Sequence, residues 1–208
     1  MMVLGIDTCG VMGSISLARV EGCAVLGLAK TELAGKTYSA QLVPATRALL
    51  DTQSMDAGAL DAVVVVNGPG SFTGVRIGVS SAKGLAEGLG IPLLAVSRLA
   101  VLAWKADTEQ AALDAGRGEF YVRDGLLESL RAAKDVSSSL HGGLAVCEES
   151  TLRVFPEAAL IDAPTAEDAI RFAAPRLLAG DFADVATLDG NYVRRSDAEV
   201  FAKAPGKA

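Results

Sequence analysis

The sequence predicts an α/β protein whose first half runs βββαβαβα and whose second half is a shortened echo of the first. Three observations carry that prediction. Apolar stretches joined by short turns open the chain as an antiparallel meander. A glycine-rich turn over residues 67–78 joins a strand to a helix. Finally, Ala111-Ala112-Leu113-Asp114-Ala115-Gly116 repeats the outline of Leu4-Gly5-Ile6-Asp7-Thr8-Cys9-Gly10, an apolar run followed by Asp and then Gly.

Taken in order, Val3-Leu4-Gly5-Ile6 reads as a buried strand ending at Asp7, with a turn through Gly10. Ser14-Ile15-Ser16-Leu17 alternates with period two, and Glu21-Gly22 turns the chain into a third strand, residues 24–28. A helix is expected from Ser39, its N-cap, to Thr52, with an irregularity at Pro44. A strand follows over residues 62–66, then the glycine turn, a helix over residues 73–89, a strand over residues 92–96, and a helix capped by Ser97 that runs through Trp104. The second half is expected to begin at 107, dividing the chain into lobes 1–106 and 107–208. Within it, residues 119–122 and 143–147 read as strands, and residues 124–143 as a short helix and loop. A helix capped by Thr165 should run to about Ala174, where Pro175 ends or kinks it.

Composition narrows the function classes. A net charge of −6 and dispersed Lys and Arg argue against a surface that grips phosphate backbones unaided. The three cysteines, Cys9, Cys23 and Cys147, form no C-x-x-C pair, and His141 is the lone histidine, so no zinc-ligand pattern exists. Without a leader-like or bilayer-length apolar segment, the chain reads as soluble and cytoplasmic.

The most specified segment is Asn67-Gly68-Pro69-Gly70-Ser71-Phe72-Thr73-Gly74-Val75-Arg76. A glycine-rich strand-to-helix turn can aim backbone N–H groups at an anion. This one has neither the Lys-Ser/Thr close of a Walker loop nor G-x-G-x-x-G spacing, and Ser71 and Thr73 have no neighbouring base, so capping suits them better. Asp7-Thr8-x-Gly10 has the form of a phosphate-binding turn in which Asp7 positions hydrated Mg²⁺, or of a hairpin turn in which Asp7 caps backbone amides. Cys9 reads as a buried thiol rather than a nucleophile. The helix after the loop holds Gly78, Gly84 and Gly88, each costing about 1 kcal/mol against alanine. Its bare surface fits either close packing within the domain or a subunit interface.

These residues resemble the bacterial TsaB (YeaZ) family: the glycine loop with Leu4-Gly5-Ile6-Asp7-Thr8, Ser39 with Leu42 and Pro44, Asp114-Ala115-x-Arg117-Gly118-Glu119-x-Tyr121, and Tyr192-Val193-Arg194-Arg195-Ser196-Asp197-Ala198-Glu199. The resemblance implies the actin-like ATPase fold of sugar kinases and heat-shock chaperones, with a reduced second lobe. It implies a non-catalytic subunit of the system that makes threonylcarbamoyladenosine in tRNAs reading codons beginning with A. Such a subunit pairs with a TsaD-like paralogue, helps recruit a TsaE-like ATPase, meets tRNA only through the complex, and forms homodimers when alone. It implies no metal, no cofactor and weak or absent nucleotide binding, with Asp7, Thr8, Gly10 and Asp114 as a vestigial phosphate site. By the same analogy, the pairing surface is Leu42, Ala45, Leu49, Gly74, Gly78, Val79 and Ala82. Tyr38 stands where the family often has His. The competing reading is a small ATPase or kinase using Asp7, Thr8 and Gly10 with Asp114 from the facing lobe.

Overall fold

The structure, a computed structural model, describes residues 1–35, 37–137 and 143–193. The first sheet is ordered β3-β2-β1-β4-β5, from strands β1 (Met2–Asp7), β2 (Met12–Glu21), β3 (Ala24–Ala34), β4 (Ala62–Val66) and β5 (Leu93–Val96). β1 pairs antiparallel with β2, β2 antiparallel with β3, and β1–β4 and β4–β5 are parallel. The second sheet contains β6 (Gln110–Gly116), β7 (Glu119–Asp124), β8 (Leu127–Ala132), β9 (Leu144–Val146) and β10 (Ala159–Leu160). Read from its other edge it has the same arrangement, β8-β7-β6-β9-β10, with the same strand senses. The internal repeat read from Asp7 and Asp114 is therefore a duplication of topology.

Helices α1 (Tyr38–Asp51) and α2 (Phe72–Leu89) cover one face of the first sheet. Helix α3 (Arg98–Lys105) crosses onto the second sheet, packing on β6, β7 and β9. In return α6 (Ala166–Ala179), the last helix among the described residues, covers the other face of the first sheet. Gly5 makes this possible, because a Cβ there would lie 2.6 Å from the Ala166 carbonyl oxygen and 2.9 Å from Ile170 Cδ1. Among the described residues the two remaining α-helices, α4 (Ala133–Ser137) and α5 (Glu149–Val154), are single turns or little more.

Several boundaries depart from the sequence reading. β2 and β3 are more than twice the expected length, because they pair from Met12↔Ala34 to Glu21↔Ala24, with one shift of register between Leu17 and Ala18. Ser39 is not the cap of α1: the helix starts at Tyr38 behind Thr37, which makes no side-chain capping bond. Residues 127–132, read as helix and loop, form β8 because they complete a hairpin with β7. α5 and β10 were not foreseen. α6 continues through Pro175 to a left-handed Gly180. Pro175 lies on the exposed side, where water can reach the carbonyl it leaves unbonded, while Leu177, two residues on and on the opposite side of the helix, is buried.

The N-terminus of α6 carries a capping box: Thr165 Oγ1 accepts from Asp168 N at 3.2 Å and Asp168 Oδ2 accepts from Thr165 N at 2.9 Å. Asp168 also holds Lys105 of α3 at 2.9 Å. Burial works against the Asp168 charge, but hydrogen bonds from Lys105 and Thr165 outweigh it and hold the carboxyl below its usual 3.8. A depressed folded-state value gives stability that is present above pH 3.8 and lost as pH falls through the folded value. Asp168→Asn is therefore expected to cost about 1 kcal/mol at pH 7 and progressively less below pH 3.8, as read by urea denaturation at several pH values.

Candidate functional site: the cleft between the lobes

The ends of β1 and β6 point at one another across a cleft of about 840 Å³. The first lobe contributes Gly10, Val11 and Met12, the start of α1 at Tyr38 and Ser39, the start of α2 at Ser71, Thr73 and Gly74, and Arg98. The second contributes Asp114, Ala115, Tyr121 and Glu148.

The two repeat turns are built alike. Cys9 N donates to Asp7 Oδ1 at 2.8 Å, and Gly116 N donates to Asp114 Oδ1 at 2.6 Å, so each Asp caps an amide two residues on. Asp7 is 2% exposed, and burial pushes its carboxyl up against the opposing pull of Arg98. Thr8 is fully buried and donates its hydroxyl to Gly74 O at 2.6 Å. Of the four residues nominated for phosphate, Gly10 and Asp114 line the cleft, while the Asp7 and Thr8 side chains are engaged beneath it. Cys9 is buried, its thiol donates to Val66 O at 3.2 Å, and burial raises its pKa well above the ordinary thiol range, which disfavours the thiolate.

The glycine loop closes onto the first turn. Ser71 N donates to Cys9 O at 2.8 Å, and Ser71 Oγ caps α2 by accepting from Gly74 N at 3.3 Å. A Cβ on Gly70 would strike Cys9 O, and one on Gly74 would strike Thr8 O, so both glycines serve close backbone approach. Behind the loop, Asn191 N donates to Asn67 O at 2.6 Å and the Phe72 and Tyr192 rings lie 5.2 Å apart, with Arg76 over Phe72 at 3.9 Å. The loop and the start of the C-terminal motif, separated by more than a hundred residues, thus form one unit. Residues 194–199 of that motif, and His141, lie outside the described residues.

Tyr38 stands over the first turn and donates its hydroxyl to Gly10 O at 2.9 Å and Val11 O at 3.3 Å. Two residues of the cleft escaped the sequence reading. Arg98 is 6% exposed, and its backbone N donates to Gly68 O at 2.6 Å. Glu148 Oε2 accepts from Asp114 N at 2.8 Å and Thr151 Oγ1 at 3.0 Å, tying β6 to α5. The signal for Arg98 was present: one charge heading an otherwise apolar helical run.

The nominated pairing residues are corrected by burial. Leu42, Leu49, Gly74, Gly78, Val79 and Ala82 are buried by the protomer itself and Ala45 is half-buried. Gly78 faces inward, where a Cβ would meet the Thr8 hydroxyl. The outer side of the same helices presents Val43, Arg47, Ala48, Arg76, Ser80 and Gly84. Among the described residues no three His, Cys, Asp or Glu side chains come together as a metal site, and no helix is long and apolar enough to cross a membrane.

Two mixed five-stranded sheets of identical order, exchanging their terminal helices across a cleft, define an actin-like ATPase fold. Residues 30–183 match the family described as TsaD, tRNA N6-adenosine threonylcarbamoyltransferase. The chain is 39% identical over 139 residues to the tRNA threonylcarbamoyladenosine biosynthesis protein TsaB of Bacillus subtilis, an alignment covering 62% of this chain and 59% of that one. It is 31% identical over 206 residues to an uncharacterized protein of Mycobacterium tuberculosis, covering 96% and 95%. YeaZ from Pseudomonas aeruginosa superposes with a TM-score of 0.75 at 25% identity, over 92% of this chain and 99% of that one. The alignments span 52–59% of the length of the curated TsaB relatives. The chain belongs to the TsaB (YeaZ) family, within the wider group that the TsaD description covers.

Proposed function

We propose that this protein is a non-catalytic partner subunit in the formation of N6-threonylcarbamoyladenosine beside the anticodon of tRNAs. It pairs with a TsaD-like transferase, helps recruit a TsaE-like ATPase, and meets tRNA only through that assembly. In isolation it forms a homodimer and binds nucleotide weakly or not at all. The observation that carries the reading is the state of the cleft. Asp7, Thr8 and Cys9, the groups best placed for phosphate or nucleophilic chemistry, are buried and bonded to the chain's own backbone. The biosynthetic names of the TsaB relatives and the match to the TsaD description supply the pathway.

The pairing surface on this reading is the outer side of α1 and α2, centred on Val43, Arg76, Ser80 and Gly84. Val43 is 66% exposed, a branched apolar side chain offered to solvent on the side of the two helices where α2 carries the small residues Ser80 and Gly84. Co-expression with the TsaD-like and TsaE-like proteins of the same source tests this directly. The chain is expected to co-elute with the transferase and to be required for tRNA modification by it. Unimpaired modification without the chain would overturn the proposal. Nucleotide titration of the isolated protein addresses the competing ATPase or kinase reading, which requires micromolar ATP binding with turnover.

A further inference from the structure

Away from the cleft, a groove of about 400 Å³ runs between the end of α3, α6 and the tip of the β7–β8 hairpin. Its apolar lining includes Ala100 and Ala103 of α3, Phe172 of α6, and Trp104. The Trp104 indole meets the Phe172 ring edge-on at 6.0 Å, yet 44% of the residue stays in solvent. Leu126 stands at the hairpin end of the groove, 89% exposed.

The hairpin does not need that leucine. Asp124 pairs with Leu127, so the loop is Gly125-Leu126, and the positive φ of 59° falls on Gly125 alone, as in a type II′ turn. Turn positions of this kind favour small polar residues. Leu126 instead offers a branched apolar side chain to the groove. Gly125 N donates to Glu109 O at 3.2 Å, which holds the hairpin tip beside the end of α3.

The free charges around this lining are of one sign. Asp107 and Glu109 are exposed and make no ion pair among the described residues, whereas Arg123, the cation of the lining, is held by Glu128 at 3.1 Å. On a chain of net charge −6, such a rim repels nucleic acid. It also disfavours a second copy of the chain, whose matching groove would bring the same two carboxylates. A cation is favoured twice, by the carboxylates and by the face of the Trp104 indole.

We infer that this groove is a docking site for a segment of a partner protein in which aliphatic side chains are flanked by lysine or arginine. The aliphatic groups displace water between Trp104 and Leu126, and the cations meet Asp107, Glu109 and the indole face. α6 covers the opposite face of the first sheet from α1 and α2, so this surface is separate from the pairing surface proposed above. It goes beyond the partner-subunit reading and stands or falls independently of it.

Trp104 is the chain's one tryptophan, so its emission reads the groove directly. The full-length protein is titrated with a short peptide of leucine, alanine and lysine, and in parallel with its counterpart in which every lysine is glutamate. A saturable blue shift is expected with the lysine peptide, weakening as salt is added, with the glutamate peptide binding about tenfold more weakly or worse. Leu126→Ser should weaken binding severalfold without moving the unfolding midpoint. Asp107→Asn combined with Glu109→Gln should weaken it about tenfold and remove most of the salt dependence. Asparagine suits the left-handed backbone of Asp107, φ 52°, so the double variant is expected to fold; should it not, Leu126→Ser decides alone. No saturable shift, equal binding of the two peptides, or unchanged affinity in a folded variant would each overturn the inference. So would self-association abolished by Leu126→Ser, which would give the groove to a second copy. Peptide binding seen only after removal of residues 194–208 would give it to the chain's own tail, and would overturn the inference equally.

Discussion

Gly78→Leu is expected to destabilise the protomer by about 3 kcal/mol or more, while Gly84→Leu leaves it folded. Both glycines lie in α2, six residues apart, yet they face different surroundings. A Cβ on Gly78 meets the Thr8 hydroxyl, and the side chain beyond it would press on Ile6 of the first strand. The Thr8 hydroxyl is itself committed to Gly74 O, so yielding to the new side chain means breaking a buried hydrogen bond as well as overpacking the contact. A Cβ on Gly84 meets nothing within 4 Å, and replacing a mid-helix glycine there favours the helix by up to about 1 kcal/mol. Urea denaturation of the two variants reads the stability difference. The same pair separates packing from pairing: Gly84→Leu is expected to weaken association with a TsaD-like partner while its unfolding midpoint holds. Equal stability losses at both sites would show that the two faces of α2 are not distinguished in this way.

The bare glycine surface of α2 shows where sequence reading reaches its limit. Periodicity places Gly74, Gly78, Val79 and Ala82 near one another, but it cannot say whether the surface they share meets the protein's own first strand or another molecule. The deciding fact is Thr8, which approaches from sixty-six residues away in sequence. The first lobe was otherwise legible because its elements carry local patterns: five consecutive buried residues in β4, Ser-Ile-Ser-Leu alternation in the sequence of β2 (although Ile15 to Ala18 are all buried), and Ser97 capping α3 by accepting from Ala100 N at 3.4 Å. The second lobe was less so. β8 has a half-buried pattern with no fully buried position, and β10 is two exposed residues; both exist because a neighbouring strand offers a free edge. The turn residues of the cleft were found because Asp followed by Gly has a local reason. Arg98 and Glu148 were not, since their meaning comes from what surrounds them across the lobes.

A chain cut after residue 106 is expected to show no cooperative unfolding transition, although that point divides the two sheets. The reason is the exchange of helices. The first sheet is covered on one face by α1 and α2, and on the other by α6, which begins sixty residues beyond the cut. Ala166, Ala169, Ile170 and Ala173 of α6 are fully buried, with Ala174 and Leu177 at 2% exposure. Removing α6 would leave the Val3 and Gly5 face of β1 in water and the β3 edge unsupported. α3 would be stranded in the opposite sense, with Leu99 and Leu102 deprived of the β6 and β9 residues that bury them. The lobes are accordingly two sheets in one folding unit. Ile170→Ala in the full chain tests the same coupling without truncation: it should cost about 2–5 kcal/mol. Because α6 covers the first sheet and packs on α3, which in turn covers the second sheet, both lobes should melt together at the lower midpoint. Tryptophan fluorescence, from Trp104 on α3 beside Phe172 at 6.0 Å, and far-ultraviolet circular dichroism should then report one coincident transition. Two separated transitions, or a fragment 1–106 that unfolds sharply alone, would mean that the first sheet is stable without its borrowed helix.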